Sequence, residues 1–333
     1  MKELRIHNKS ISGGAIYFNL LYDNISQVSA GKEHSLLLTN QGTVYATGYN
    51  SFGQLGMGNN GANTDLNSFH FVSGGGIPPV TIGNPNSWPE WQGKVIQVEA
   101  SRFGEYSFIV TKDGYTYATG HNNEGQLGMG NYGDNTDLNS FHFVSGGNLS
   151  EWQGKVKQIS CGLEHTLLVT NDNYLYVNGK TGNNRSGMDN DPRPNLTVFT
   201  KCRDNNFQGI VEKISAGNTH SMLVTTNKNV FGTGTQYVIG FEESEKEKFT
   251  KIINDNYNFQ GKVKQVSSGV NHTMLVTTDG DIYVTGTDDT TGLQGIGYET
   301  EGNFTICQTT VSGRVNHVSC NSAHSLLVTN DNY

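Results

Sequence analysis

Charge is scarce in this chain. Asp, Glu, Lys and Arg make up 16% of its 333 residues, and 22 Lys plus Arg stand against 30 Asp plus Glu, a net charge of −8. A disordered acidic segment needs a much higher charge density, and a nucleic-acid binder needs a basic face, so no nucleic-acid partner is expected. Long apolar runs are missing as well. Nothing approaches the roughly 18 consecutive apolar residues that a membrane-spanning helix requires, and Met1 to Tyr22 lack the apolar core of a secretory signal. The expectation is a cytoplasmic monomer off the membrane, with the nucleus left open. Cysteine is rare too: Cys161, Cys202, Cys307 and Cys320 form no C-x-x-C pair and sit at no zinc-finger spacing from histidine. They read as free thiols in a reducing compartment.

Glycine, at 42 positions, is what the chain has in abundance, and it punctuates a repeat. The stretch from Val28 through His34 to Gly48 recurs from Ile159 through His165 to Gly179, from Ile214 through His220 to Gly234, and from Val266 through His272 to Gly286. One further copy carries Tyr106 in the histidine slot, and another carries His324. The anchors at 34, 106, 165, 220, 272 and 324 are separated by 72, 59, 55, 52 and 52 residues. Self-similarity at such a period marks a repeat architecture.

Each copy spells strands. Ser35-Leu-Leu-Leu-Thr39 is short, apolar at its centre and bounded by Gly31 and the Gln41-Gly42 turn, and Thr43 to Thr47 follows as the second arm of a hairpin. An aromatic-Gln-Gly signal precedes the next β-rich stretch at Trp91, Trp152, Phe207 and Phe259. Antiparallel sheets of about four strands at this spacing are propeller blades. The expected fold is therefore all-β: one β-propeller domain over residues 1–333, built from six repeats of 52–72 residues. The last repeat halts at Asn330-Asp-Asn-Tyr333, where the third continues from Asn171-Asp-Asn-Tyr174 into another strand. Leu4-Arg-Ile-His-Asn8 offers the pattern of that strand, so the N-terminus is expected to close the ring and remove its open edges.

These residues resemble the regulator of chromosome condensation repeat family. Gly48-Tyr-Asn-Ser-Phe-Gly-Gln-Leu-Gly-Met-Gly58 and its copy Gly120 to Gly130 are similar to the second half of that family's repeat. The resemblance implies a propeller and a protein partner. It also implies seven blades as the usual number, against six counted here, so a seventh within the 34-to-106 interval is the alternative. Two departures stand out. The Trp usual before the repeat's glycine is replaced by Thr47, Thr119, Asn178, Thr233 and Thr285, and the Gly-Gln-Leu-Gly block decays to Asn184-Arg-Ser-Gly187 and then disappears from the fourth repeat.

The phased histidines could tempt a metal reading, but a metal needs several ligands converging on one ion, whereas a ring spreads one per blade. They read as framework. Cys161 and Cys320 share a slot with Ala30, Ala100, Ala216 and Ser268, which asks for a small buried side chain near the axis rather than a nucleophile. No catalytic residue, metal or cofactor is expected.

One feature exceeds the framework. Residues Thr64 to Gly75 recur letter for letter as Thr136 to Gly147. The duplicated Phe69, His70 and Phe71, their copies Phe141, His142 and Phe143, and an insertion over 74–89 that carries Ile77 and Trp88 are the candidate partner-binding residues. Aromatics and a proline-stiffened loop on a rigid scaffold suit a protein interface. The expected function is a non-enzymatic interaction scaffold. The alternative, implied by the resemblance, is guanine-nucleotide exchange on a small GTPase.

Overall fold

The protein was analysed as a computed structural model that describes residues 25–73, 89–188, 193–203, 206–241, 244–253, 259–286, 303–307, 314–322 and 324–329. The sheets follow one another along the chain. The first contains β1 (Ile25–Ala30), β2 (His34–Thr39), β3 (Val44–Gly48) and β4 (Leu66–Phe71), and the second β5 (Val95–Ala100), β6 (Tyr106–Thr111), β7 (Thr116–Gly120) and β8 (Leu138–Phe143). After the helical turn α1 (Leu149–Trp152) come β9 (Val156–Cys161), β10 (His165–Thr170), β11 (Leu175–Lys180) and β12 (Asn195–Lys201). The fourth sheet has β13 (Val211–Ala216), β14 (His220–Thr225) and β15 (Val230–Gly234), then the turn α2 (Gln236–Ile239) and β16 (Lys246–Lys251). The fifth holds β17 (Val263–Ser268), β18 (His272–Thr277), β19 (Ile282–Gly286) and β20 (Thr305–Ile306), and the sixth β21 (Val315–Cys320) and β22 (Ser325–Thr329). Every pairing is antiparallel, and strands in each sheet are neighbours in chain order.

This is the six-bladed, nearly all-β propeller that the repeat predicts. The strand expected from Leu4 to Asn8 lies outside the described residues, as do Ile77 and Trp88. A register shift recurs at one place in the first strand pair, between Ile25 and Gln27, Val95 and Gln97, Val211 and Lys213, Val263 and Gln265, and Val315 and His317. Such bulges increase strand twist.

Burial explains why the second strand of each repeat reads as an unbroken apolar run. Every residue of β6, β10, β14 and β18 is buried, because a blade has a neighbour against each face. The apolar cores accordingly lie between blades. One joins Leu36 and Val44 to Val98, Ile109 and Phe141, and the next joins Phe108 and Leu127 to Ile159, Leu168 and Phe199. The same pattern continues to the sixth sheet.

The aromatic-Gln-Gly signal is the joint between consecutive blades. Trp91, Trp152, Phe207 and Phe259 are all buried. The following glutamine closes the outer half of the preceding blade: Gln92 accepts a hydrogen bond from Val44 N at 2.8 Å and donates to Val72 O at 2.8 Å. Gln153, Gln208 and Gln260 repeat that clasp on Thr116, Leu175 and Val230. The small-residue slot is buried at Ala100, Cys161, Ala216, Ser268 and Cys320. Ala30 departs from this expectation: it is exposed, because no preceding blade covers its face among the described residues.

The Gly-Gln-Leu-Gly block also has a physical task. A side chain at its last glycine, Gly56, would run into the ring of Phe141 on the next blade's outer strand, and Gly128 stands likewise against Phe199 and Gly187 against Phe249. The fourth repeat keeps the device although its letters are gone. Gly240 closes α2 in a left-handed conformation, with φ of 84°, and receives the ring of Phe304. The expected outcome is that Gly56→Ala lowers stability by about 1–3 kcal/mol more than Gly61→Ala. Both positions have positive φ, but Gly61 has nothing within 4 Å of an added Cβ. Equal denaturation midpoints for the two variants would refute the ring-on-glycine role.

Candidate functional site

The phased histidines join blades. His34 Nε2 lies 2.8 Å from Ser107 Oγ, His165 Nε2 2.8 Å from Ser221 Oγ, His220 Nε2 2.9 Å from Thr273 Oγ1, and His272 Nε2 2.7 Å from Ser325 Oγ. In each pair the partner sits on the second strand of the following blade. The hydroxyls of Ser107, Ser221 and Thr273 donate onward to Gln54 O, Arg185 O and Val238 O. They therefore accept from the imidazole, which fixes the proton of His34, His165 and His220 on Nε2. Tyr106 does the same work with its hydroxyl, 2.9 Å from Gly162 O and 2.7 Å from His165 O.

Nothing in this chain of contacts is set up for catalysis. Burial holds His34 down at about 4 and His220 at about 3, and lowers His165 well below its usual value, with the positive Arg185 nearby adding to the effect. Burial likewise pushes the Cys320 thiol up to about 11 and that of Cys161 well above its ordinary value. Such cysteines are inert toward electrophiles at neutral pH. Among the described residues, no group of three or more His, Cys, Asp and Glu is placed to hold a metal ion.

The duplicated strip lies on the outermost strands of the first two blades. His70 and His142 are both exposed, and each ring is held alike, His70 Nδ1 2.8 Å from Ser68 O and His142 Nδ1 2.7 Å from Ser140 O. Phe71 is half-buried edge-on to Tyr45, and Phe143 half-buried between Tyr115 and Tyr117. Phe69 is half-buried, whereas its copy Phe141 is only 7% exposed and packs on Trp91. The structure thus gives Phe141 to the framework and leaves His70, His142 and parts of Phe69, Phe71 and Phe143 at the surface. Residues 74–88, with Ile77 and Trp88, lie outside the described residues.

Two residues missed by the repeat alignment face the propeller axis. Glu99 replaces the serine found at Ser29, Ser160, Ser215, Ser267 and Ser319, and Lys213 replaces a glutamine present at Gln27, Gln97, Gln158 and Gln265. The signal was present in the inner strands as a break in a Gln-x-Ser alternation.

Comparison with known proteins agrees with this architecture. The Regulator of chromosome condensation (RCC1) repeat matches residues 25–54, 156–187 and 263–290, within the first, third and fifth blades. The human X-linked retinitis pigmentosa GTPase regulator is 29% identical over 90% of this chain and 32% of its own length. The Ultraviolet-B receptor UVR8 of Arabidopsis thaliana is 26% identical over 84% of this chain and 57% of its own. The chain therefore spans about a third of the first relative and little more than half of the second. Among solved structures, human WBSCR16 superimposes with a TM-score of 0.78 at 22% identity, covering 95% of this chain and 75% of that one. Yeast RCC1 (Prp20), solved bound to Kap60, gives 0.69 at 18% identity over 92% and 68%.

The buried imidazoles make a pH prediction. Their folded values lie below the unfolded 6.5, so the unfolded chain binds more protons as acid is added, and stability present above pH 6.5 is lost as pH falls toward 4. Glu99 opposes this: burial raises it to about 7, which favours the folded state between 7 and 4.5 as pH falls. One carboxyl stands against His34, His165 and His220, so the denaturation midpoint should drop between pH 6.5 and 5. The drop should be shallower in His220→Gln. A flat profile would remove the histidines from the framework.

Proposed function

From the premise that the chain is a regulator of chromosome condensation repeat propeller, we propose that it is a non-enzymatic interaction scaffold that binds a protein partner. The contact surface runs along the outer strands β4 and β8 and extends to the connection bearing Ile77 and Trp88. The observation that carries this reading is the duplication of Thr64–Gly75 as Thr136–Gly147, which places two exposed histidines in the same ring geometry one blade apart. A rigid sheet behind half-exposed aromatics limits the entropy lost on binding. Framework needs do not account for His70 or His142, since neither reaches an adjacent blade through the bonds that hold its ring.

The second reading is guanine-nucleotide exchange on a small GTPase. It is supported by relatives that include a protein named as a GTPase regulator. Its tool would be the connection after β4.

Capture from the native source, compared between the wild-type chain and the variant His70→Ala/His142→Ala, tests the first reading. The expected outcome is loss of the captured partner with an unchanged melting temperature, because exposed substitutions away from framework contacts usually cost less than about 0.5 kcal/mol. An identical partner set for both proteins would exclude the strip. Release of a fluorescent guanine nucleotide from a panel of small GTPases, accelerated by the wild-type chain and not by Trp88→Ala, would replace the scaffold reading with exchange.

A further inference from the structure

The inner strands carry a polar alternation toward the axis, and its members have a structural task. Gln27 donates to Val98 O at 2.9 Å and accepts from Val98 N at 3.0 Å; Gln97 clasps Ile159 and Gln265 clasps Val318 in the same two-way manner. Two positions later, the hydroxyls of Ser29, Ser160, Ser215 and Ser267 accept hydrogen bonds from the backbone N–H groups of Ala100, Ala216, Ser268 and Cys320. Neighbouring blades are thus stitched along the axis by neutral side chains.

Lys213 breaks this stitch. An ammonium group only donates, so it cannot accept from the next strand as the glutamines do. Among the described residues no bond holds Lys213, and its side chain is exposed to the axial space. Glu99 replaces the serine on the second blade with a charge, while keeping the bond to the next blade through the backbone of Cys161. Positions that forgo a framework bond without packing gain are where a functional constraint is to be sought.

These two residues share one space with further charges. Arg102, from the β5–β6 loop, crosses the ring and donates to Ser267 Oγ and Cys320 O, both at 3.1 Å. Lys264 donates to Val315 O at 3.1 Å. Together with His317 and the inner glutamines they line an axial cavity of about 460 Å³. Three cations face a single carboxylate there, in a chain whose overall charge is −8. Burial raises Glu99 to about 7 in spite of Arg102, so that carboxylate only partly offsets the cations at neutral pH. Low-dielectric walls concentrate the field of such a cluster.

We propose that the axial cavity is a binding site for a small polyanion of the oligophosphate class, with Lys213, Lys264 and Arg102 as its charge partners and Glu99 limiting its affinity. The cavity has the size of an ordinary small-molecule site, and Lys and Arg donors match phosphoryl oxygens. The site faces the axis, whereas the proposed partner strip lies on the outer strands, so each stands without the other.

Titration calorimetry of the full chain with inorganic tripolyphosphate tests the proposal. Saturable one-to-one binding that weakens with salt is expected. Lys213→Gln and Glu99→Ser each install the residue that other blades carry, so both should fold. Lys213→Gln should weaken binding about tenfold, and Glu99→Ser should tighten it. Absence of saturable binding by the wild-type chain overturns the proposal. An affinity unchanged in either variant, with its melting temperature preserved, overturns it equally.

Discussion

Everything in this molecule depends on how one blade holds the next. A four-stranded sheet has two apolar faces and cannot bury either alone. Here the faces are buried against neighbours, and a polar latch fixes their spacing: an imidazole or phenol on one blade meets a hydroxyl or carbonyl on the following one. The glycine three positions upstream is required because the ring lies against it; a Cβ at Gly31, Gly162, Gly217 or Gly269 would strike the imidazole of His34, His165, His220 or His272. The latch, the ring of the outer phenylalanine against glycine, and the glutamine clasp at the blade joint work at three radii of the propeller. The latch pairs the buried Nε2 of each imidazole with a hydroxyl, and the clasp uses both ends of the Gln92 amide, as a low-dielectric interface demands.

That division of labour determines where function can reside. Second and third strands are committed to packing, so variation is tolerated on outer strands, connections and the axial lining. The duplicated strip shows how strictly context acts. Phe69 and Phe141 stand in identical sequence, yet Phe141 is buried and Phe69 half-buried. Phe141 is seated by Gly56 of the blade before it. A repeat's own letters therefore do not settle the exposure of its outer face; the preceding repeat does.

Chemistry is suppressed in the same regions. The imidazoles of His34, His165 and His220 are kept neutral by burial, and the slot shared by Cys161 and Cys320 raises their thiols out of the reactive range. Groups that look catalytic by type are thereby assigned to cohesion. The side chains least explained by folding are those of His70, His142 and Lys213, which no cross-blade bond among the described residues employs.

The sequence alone determined the repeat phase, the hairpins and the framework role of His34, His165, His220 and His272, whereas His324, read the same way, is exposed. Those follow from side-chain alternation and turn chemistry over a few residues. It also marked the small slot correctly at five of its six positions, failing at Ala30 because exposure there depends on what stands behind the first blade. The fourth repeat's glycine block was illegible, since Gln236 to Gly240 shares only its last residue with Gly53 to Gly56 and performs the task through a helical turn. Lys213 and Glu99 became meaningful only once the inner strands stood around a common axis. Tertiary structure decided these points because the partners in each latch are 53 to 73 residues apart, beyond any local pattern, and burial is a property of the pair of blades rather than of either one.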